Sequence, residues 1–230
     1  AFLVLFLAYG VQYSFGVFLP AMTDELGWQR ASLGGAFSLY SLVYTGFSLV
    51  SGRLTDSLGP RRVIGLGGVL LGIGIMATSQ ISAQWQLYFF YGLVAALGMS
   101  TAYIPCNMTV VRWFHEKRGL ALGVASCGAS CGILVMPMLA SYIIEHAGWR
   151  TGLLVLGAGL FIVINIAAHF MVRSPEVLGL SPDGATASPS SGVPDAVAGA
   201  DDLPGWTLIE ARATITLWMF LFAFAIVLLT

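Results

Sequence analysis

At 230 residues, 57% hydrophobic and only 9% charged, with a mean hydropathy of +0.86, the chain is too apolar for a water-soluble domain and reads as a membrane protein. Its net charge of −1 excludes a basic nucleic-acid-binding surface. The three cysteines, Cys106, Cys127 and Cys131, all fall in hydrophobic segments, with neither a disulfide framework nor a metal-ligand spacing, so no metal and no cofactor is expected.

A membrane crossing needs about 20 apolar residues at a rise of ~1.5 Å each. Six such stretches fit, near 1–20, 32–52, 62–81, 86–110, 119–144 and 150–172, followed by the start of a seventh at 214–230. Ala1 and Thr230 both lie inside hydrophobic runs, so the chain reads as a fragment of a longer protein; no cleavable leader is visible.

In the first stretch Tyr9, Gln12, Tyr13 and Gly16 follow helical spacing and share one face. Polar groups at membrane depth are costly against lipid, so this stripe is a candidate lining for a solute path. The alternative is interhelical hydrogen bonding without solute contact. Tyr40 and Tyr44 in the second stretch are weaker candidates. Gly27-Trp28 before the second stretch and Gly148-Trp149 before the sixth, each closely followed by an arginine, read as structural turns with interfacial tryptophan anchors.

Between the second and third stretches lies the charged run Gly52-Arg53-Leu54-Thr55-Asp56-Ser57-Leu58-Gly59-Pro60-Arg61-Arg62. Two spaced glycines around one aspartate among arginines predict a tight turn holding a paired charge. The third stretch brings Gly68 and Gly72 to one face for close helix approach. Its nominal Gly-x-G-x-x-Ala-like run at Gly72, Gly74 and Ala77 is no dinucleotide fingerprint, because no strand precedes it.

The fourth stretch aligns Ser100, Tyr103 and Asn107 beside Pro105, which is expected to kink it. The sequon at Asn107-Met108-Thr109 is unusable inside a span. Arg112, Lys117 and Arg118 occupy the next loop. In the fifth stretch Gly119, Gly123, Cys127 and Cys131 recur every four residues and predict a small-residue packing face along which a partner helix can slide. In the sixth, His169 aligns with Asn165 and Arg173 and is read as a structural histidine near the membrane surface. His115 and His146 are given no role.

From Ser174 the composition turns to Pro, Gly, Ser, Ala and Asp, which cannot bury enough apolar surface to order itself. The expected organisation is a six-helix bundle over 1–173, a flexible linker over 174–213 with a short amphipathic helix at 206–211, and the start of a seventh helix at 214–230. Eight of the ten basic residues fall on one side of such a bundle, with Arg30 and Arg150 on the other. The positive-inside rule makes that side cytoplasmic, placing the N-terminus and linker inside a cytoplasmic membrane. None of the six stretches has an ionisable group near its centre, so an anion-binding cation or proton carrier must come from elsewhere in the whole protein.

The run from Gly52 to Arg61 resembles the major facilitator superfamily signature Gly-x-Leu-x-Asp-(Arg/Lys)-x-Gly-x-(Arg/Lys). Gly52, Leu54, Asp56, Gly59 and Arg61 match, while Ser57 stands where the family has a basic residue. Trp113-Phe114-His115-Glu116-Lys117-Arg118-Gly119-Leu120-Ala121-Leu122-Gly123-Val124-Ala125-Ser126-Cys127-Gly128 is similar to the monocarboxylate-transporter pattern at the same place. The run Pro175-Glu176-Val177-Leu178-Gly179-Leu180-Ser181-Pro182-Asp183-Gly184 resembles a segment after helix 6 in bacterial relatives of those transporters, the oxalate/formate antiporters among them.

The resemblance implies an all-α membrane protein with the major facilitator fold, represented by its N-terminal six helices and the start of helix 7. It further implies alternating-access transport of small organic anions, monocarboxylates or oxalate and formate, by proton symport or anion exchange. The carrier would act as a monomer completed by a C-terminal half. Gly52, Asp56, Gly59, Arg61, Arg62, Arg112 and Arg118 would form a cytoplasmic latch, and helices 1 and 4 would line the cavity. A drug or sugar carrier shares the same signature. A seven-helix receptor is opposed by the inward N-terminus, and an enzyme by the lack of catalytic clusters at membrane depth.

Overall fold

A computed structural model describes residues 1–114 and 117–172, which fall within one unit, Ala1–Ala187. The expected linker, its amphipathic helix at 206–211 and the seventh stretch lie outside the described residues, as do His115, Glu116 and Arg173.

The apolar stretches form helices α1 (Phe2–Leu26), α2 (Arg30–Leu58), α3 (Pro60–Thr78) and α4 (Gln84–Trp113), followed by a helical run Arg118–His169. At ~1.5 Å per residue that last run would measure about 78 Å, more than twice the ~30 Å hydrocarbon core. It is broken at Gly148, whose φ of 81° and ψ of 161° are not helical. Residues 118–147 are therefore α5 and 149–169 are α6. Among the described residues there is no strand.

The helices overrun the expected spans. α2 continues to Leu58, so Gly52, Leu54 and Asp56 lie in its final turns and not in a loop. The expected turn over the whole charged run is corrected to a reversal at Gly59 alone, with φ 83° and ψ 155°. Pro60 then opens α3 at a position where its missing N–H costs nothing and its fixed φ already suits a helix.

α4 is composite. A π-helical stretch, Tyr88–Ala95, leads into Ala96–Ser100, then a turn at Thr101 and Ala102, then Tyr103–Trp113. The break follows from Pro105: its ring has no N–H for the carbonyl four residues earlier, that of Thr101, and would clash with it. Thr101 accordingly leaves the helical region, with φ −93° and ψ 1°.

Pair contacts set the topology. Gly10, Gly128 and Gly132 bring α1 and α5 together in parallel, Phe2 lying at Gly128, Phe6 at Gly132 and Gly10 at Met136. α6 runs against α1, since Trp149 reaches Glu25 while Gly152 meets Phe18. α3 and α6 are antiparallel, with Gly68 at Ile164 and Gly72 at Phe161. α2 and α4 are parallel, Gly35 meeting Tyr88 and Ser51 meeting Ser100. The described helices thus alternate in direction. One end carries Arg53, Arg61, Arg62, Arg112, Lys117 and Arg118 and is called the basic end here; the opposite end carries Glu25, Arg30 and Arg150.

Lipid is as apolar as a leucine side chain, so these helices gain from close van der Waals packing more than from burial. In the α3/α6 seam a Cβ on Gly72 would lie 2.7 Å from Phe161 Cβ and 3.0 Å from the Gly157 carbonyl. The expected use of Gly68 and Gly72 is therefore what the structure has. The expected small-residue stripe of α5 has no packing partner among the described residues. A Cβ on Gly119 or Gly123 would meet nothing within 4 Å, and Cys127 and Cys131 are exposed. The face of α5 that packs within the unit holds Ala125, Gly128, Gly132, Met136 and Ala140, because those residues turn toward α1.

Candidate solute path and helix-end contacts

On α1, Tyr9 of the stripe Tyr9, Gln12, Tyr13 meets both α2 and α4. The Tyr9 and Tyr44 hydroxyls are 3.0 Å apart, so one donates to the other and the second keeps a proton to offer. The Tyr103 ring meets Tyr9 edge-on, with centroids 6.0 Å apart and planes at 73°. Tyr103 and Tyr13 remain 42% and 53% exposed, so this trio borders open space and is not sealed in the core.

Gln12 and Asn107 bracket the trio. Each has a buried amide oxygen with no hydrogen-bond partner among the described residues. Gln12 lies three residues past Tyr9 toward the opposite end, and Asn107 four past Tyr103 toward the basic end, offsets of about 4.5 and 6 Å along the axis. An unpaired buried amide costs on the order of 1–3 kcal/mol. With no partner to orient it, either amide can turn its two N–H donors toward the space beside the tyrosines.

Ser100 sits elsewhere. It is buried in the α2/α4 contact, where its hydroxyl donates to Leu97 O at 2.7 Å and its carbonyl accepts from Ser51 Oγ at 2.8 Å. Tyr40 is also buried, stacked on Tyr91 at 4.8 Å in a ladder with Phe15 and Phe37. Gly16 is exposed on α1 with open space over it.

At the basic end, Arg112 Nη2 donates to Asp56 Oδ1 at 3.0 Å and ties the end of α4 to the last turn of α2. Side-chain exposures of 33% and 55% place this pair in the range of ~0.2–1 kcal/mol. Of the seven latch candidates, these two are brought together as an ion pair. Gly59 makes the reversal, and Gly52 faces Ile104 at ordinary contact distance. Arg61 points to α6 and donates to His169 Nδ1 at 2.7 Å. Arg62 and Arg118 have no ion pair among the described residues. Trp113 Nε1 donates to the Val172 carbonyl at 3.0 Å, closing α4 onto the end of α6.

The opposite end holds a contact that sequence reasoning missed. Glu25 accepts from Trp149 Nε1 at 2.6 Å and from Arg150 Nε at 3.0 Å, and Arg150 also donates to Ser79 O at 2.9 Å. The three bonds join α1, α3 and α6. Trp149 is 3% exposed, so it is a buried hydrogen-bonded wedge and not the interfacial anchor expected for it. The available signal was an acid at the end of the first stretch and a Trp-Arg pair at the start of the sixth.

Six alternating helices, tied at both ends and with a polar stripe between them, define a multi-pass α-helical membrane protein. The Major Facilitator Superfamily profile matches residues 1–230, and the chain belongs to that family. An oxalate:formate antiporter from Oxalobacter formigenes is 30% identical over 179 residues, 78% of this chain and 42% of the antiporter. Monocarboxylate transporter 6 of Homo sapiens is 32% identical over 157 residues, 66% of this chain and 31% of that protein. Monocarboxylate transporter 9 of Mus musculus is 31% identical over 175 residues, 76% of this chain and 34% of that protein. The chain spans less than half the length of each, and these relatives are transporters, not enzymes.

Proposed function

We propose that this chain is the N-terminal half of a twelve-helix secondary carrier that moves small organic anions, monocarboxylates or oxalate and formate, by alternating access. The observation that carries the reading is a pair of buried amide oxygens without a hydrogen-bond partner among the described residues, on Gln12 and Asn107, at helical offsets to either side of the Tyr9, Tyr44, Tyr103 cluster. A carboxylate cannot donate to those oxygens, but either amide turned over presents two N–H donors at the same place, and a solute carboxylate accepts from both amide N–H and tyrosine O–H. These donors are neutral. They position an anion, and the compensating cation comes from the C-terminal half.

The basic end faces the cytoplasm of a cytoplasmic membrane, as the basic-residue asymmetry indicates. Asp56 with Arg112 at that end, and Glu25 with Trp149 and Arg150 at the other, are contacts whose making and breaking bias the inward- and outward-open states. Transport is coupled to a proton or to a counter-moving anion. The open stripe Gly119, Gly123, Cys127 and Cys131 is the surface on which a helix of the other half slides.

The test is uptake of radiolabelled oxalate, formate and lactate by proteoliposomes of the full-length protein. Accumulation above protein-free vesicles that is competed by unlabelled anion supports the reading. Uptake equal to empty vesicles for every anion of the panel removes the substrate class.

A further inference from the structure

At the basic end, an open cavity of about 320 Å³ lies beside the α3/α6 contact, within the range of small-ligand sites, roughly 300–1,000 Å³. Its rim is polar and cationic, formed by Arg61, Arg62, Asn165 and His169; its inner wall is apolar, with Leu66 and Val69. Arg61 is bonded to an imidazole ring that accepts the guanidinium proton as a neutral group, so the arginine's charge is not compensated there. Arg62 makes no ion pair among the described residues. The described carboxylate at this end is Asp56, and Arg112 holds it. Two guanidinium groups thus border one cavity without a described counter-anion.

Beyond Leu66 and Val69, toward the middle of the two helices, exposed apolar side chains follow. Leu66, Leu70 and Ile73 are exposed along α3 at four- and three-residue steps, and Ile162 and Ile166 are exposed along antiparallel α6. A free inorganic anion gains nothing from these apolar side chains, whereas the acyl chains of a lipid cover them while its phosphate sits at the cationic rim.

We propose that the α3/α6 groove is a binding site for an anionic phospholipid, whose headgroup phosphate is held by Arg61, Arg62 and the Asn165 amide, and whose acyl chains lie along Leu66, Leu70, Ile73, Ile162 and Ile166. Guanidinium groups match phosphate oxygens in geometry and charge. The site is separate from the tyrosine stripe and stands whatever solute the carrier moves. Because it bridges α3 and α6, a bound lipid holds the two helices in one relative position.

Native mass spectrometry of the purified, delipidated full-length protein tests it, with phosphatidylglycerol and phosphatidylcholine of identical acyl chains as probes. The wild type is expected to retain phosphatidylglycerol preferentially. Arg62→Gln, which removes a charge with no described ion pair, should weaken retention by roughly fivefold, and Arg61→Gln/Arg62→Gln by roughly twenty-five-fold. Leu66→Trp, which fills the apolar wall with both charges kept, should also lower it, while Arg30→Gln at the opposite end should not. Millimolar inorganic phosphate should leave the lipid in place. Equal retention of the two lipids, undiminished retention in Arg62→Gln and the double variant, or displacement by inorganic phosphate alone would overturn the assignment.

Discussion

Gly59 and Gly148 hold the same backbone conformation, φ 83°, ψ 155° and φ 81°, ψ 161°, and each joins the second and third helix of a three-helix set. Gly59 turns α2 into α3 at the basic end, and Gly148 turns α5 into α6 at the opposite end. The matching geometry at inverted positions is what internal repeats of opposite topology would produce.

This region of φ/ψ space is essentially restricted to glycine, at a cost of roughly 1–3 kcal/mol for other residues. A Cβ at either position would meet nothing within 4 Å, so the cost of a side chain there is purely conformational. Gly59→Ala and Gly148→Ala should each lower the melting temperature of the detergent-solubilised full-length protein. Gly46→Ala, equally open but mid-helix, should leave it unchanged or raise it. Equal melting temperatures for Gly148→Ala and Gly46→Ala would refute the conformational argument.

The Asp56/Arg112 pair is half-exposed, so in the proposed alternating-access cycle it would bias an equilibrium without locking it. A loss of about 0.2–1 kcal/mol corresponds to a shift of up to roughly fivefold between two states. Asp56→Asn should raise the rate of thiol labelling at cavity-facing cysteines reached from the basic end by that order. Arg112→Gln should do the same, and the double variant should add little. Unchanged labelling in both single variants would reduce the pair to a passive surface contact.

At the other end Glu25 receives two side-chain donors, whereas Asp24 beside it makes no ion pair among the described residues. Glu25→Gln should therefore open the end opposite the basic one and lower thermal stability more than Asp24→Asn. The comparison is made by labelling from that side and by thermal unfolding in parallel. If Asp24→Asn proves equally disruptive, the effect belongs to net charge and not to the Glu25 contacts with Trp149 and Arg150.

Gln12 offers a trade between stability and transport. Gln12→Met keeps the side chain's length and removes an unpaired buried polar group, which should stabilise the protein by about 1 kcal/mol. Uptake of the transported anion should fall at the same time, chiefly through a higher KM. Tyr9→Phe should also raise KM, since it removes half of the Tyr9/Tyr44 hydroxyl pair. A destabilised Gln12→Met protein with unaltered uptake would show that the amide is a packing element with a partner after all.

Two glycines, one in the α3/α6 seam and one on an open face of α5, test where the helices press together. Gly72→Ala sets a methyl 2.7 Å from Phe161 Cβ and should cost about 1–3 kcal/mol, while Gly119→Ala faces open space and should cost nothing within this half. Thermal unfolding of the two variants decides it, and equal losses would contradict the seam geometry.

The number of crossings, their order and the clustering of arginines at one end were legible in the residues alone. So was the kink in α4, because Pro105 cannot satisfy the Thr101 carbonyl wherever the helix lies. Bilayer thickness and the cost of polar groups in hydrocarbon act on every segment locally, so a linear reading captures them. That is also why six helices could be counted even though α5 and α6 continue into each other through a single residue.

Tertiary structure decided what depends on the rotation of each helix about its axis and on residues far apart in the chain. It sent Arg61 to His169 and left Asp56 to Arg112, although Arg61 is much nearer to Asp56 in sequence. It turned Gly128 and Gly132 of α5 toward α1, and Gly119 and Cys127 away. It placed Glu25 beneath Trp149, and it separated Ser100, locked between helices, from the half-exposed Tyr103. Hydropathy and four-residue spacing say that such a face exists on a helix; only the packed neighbours determine which way it points.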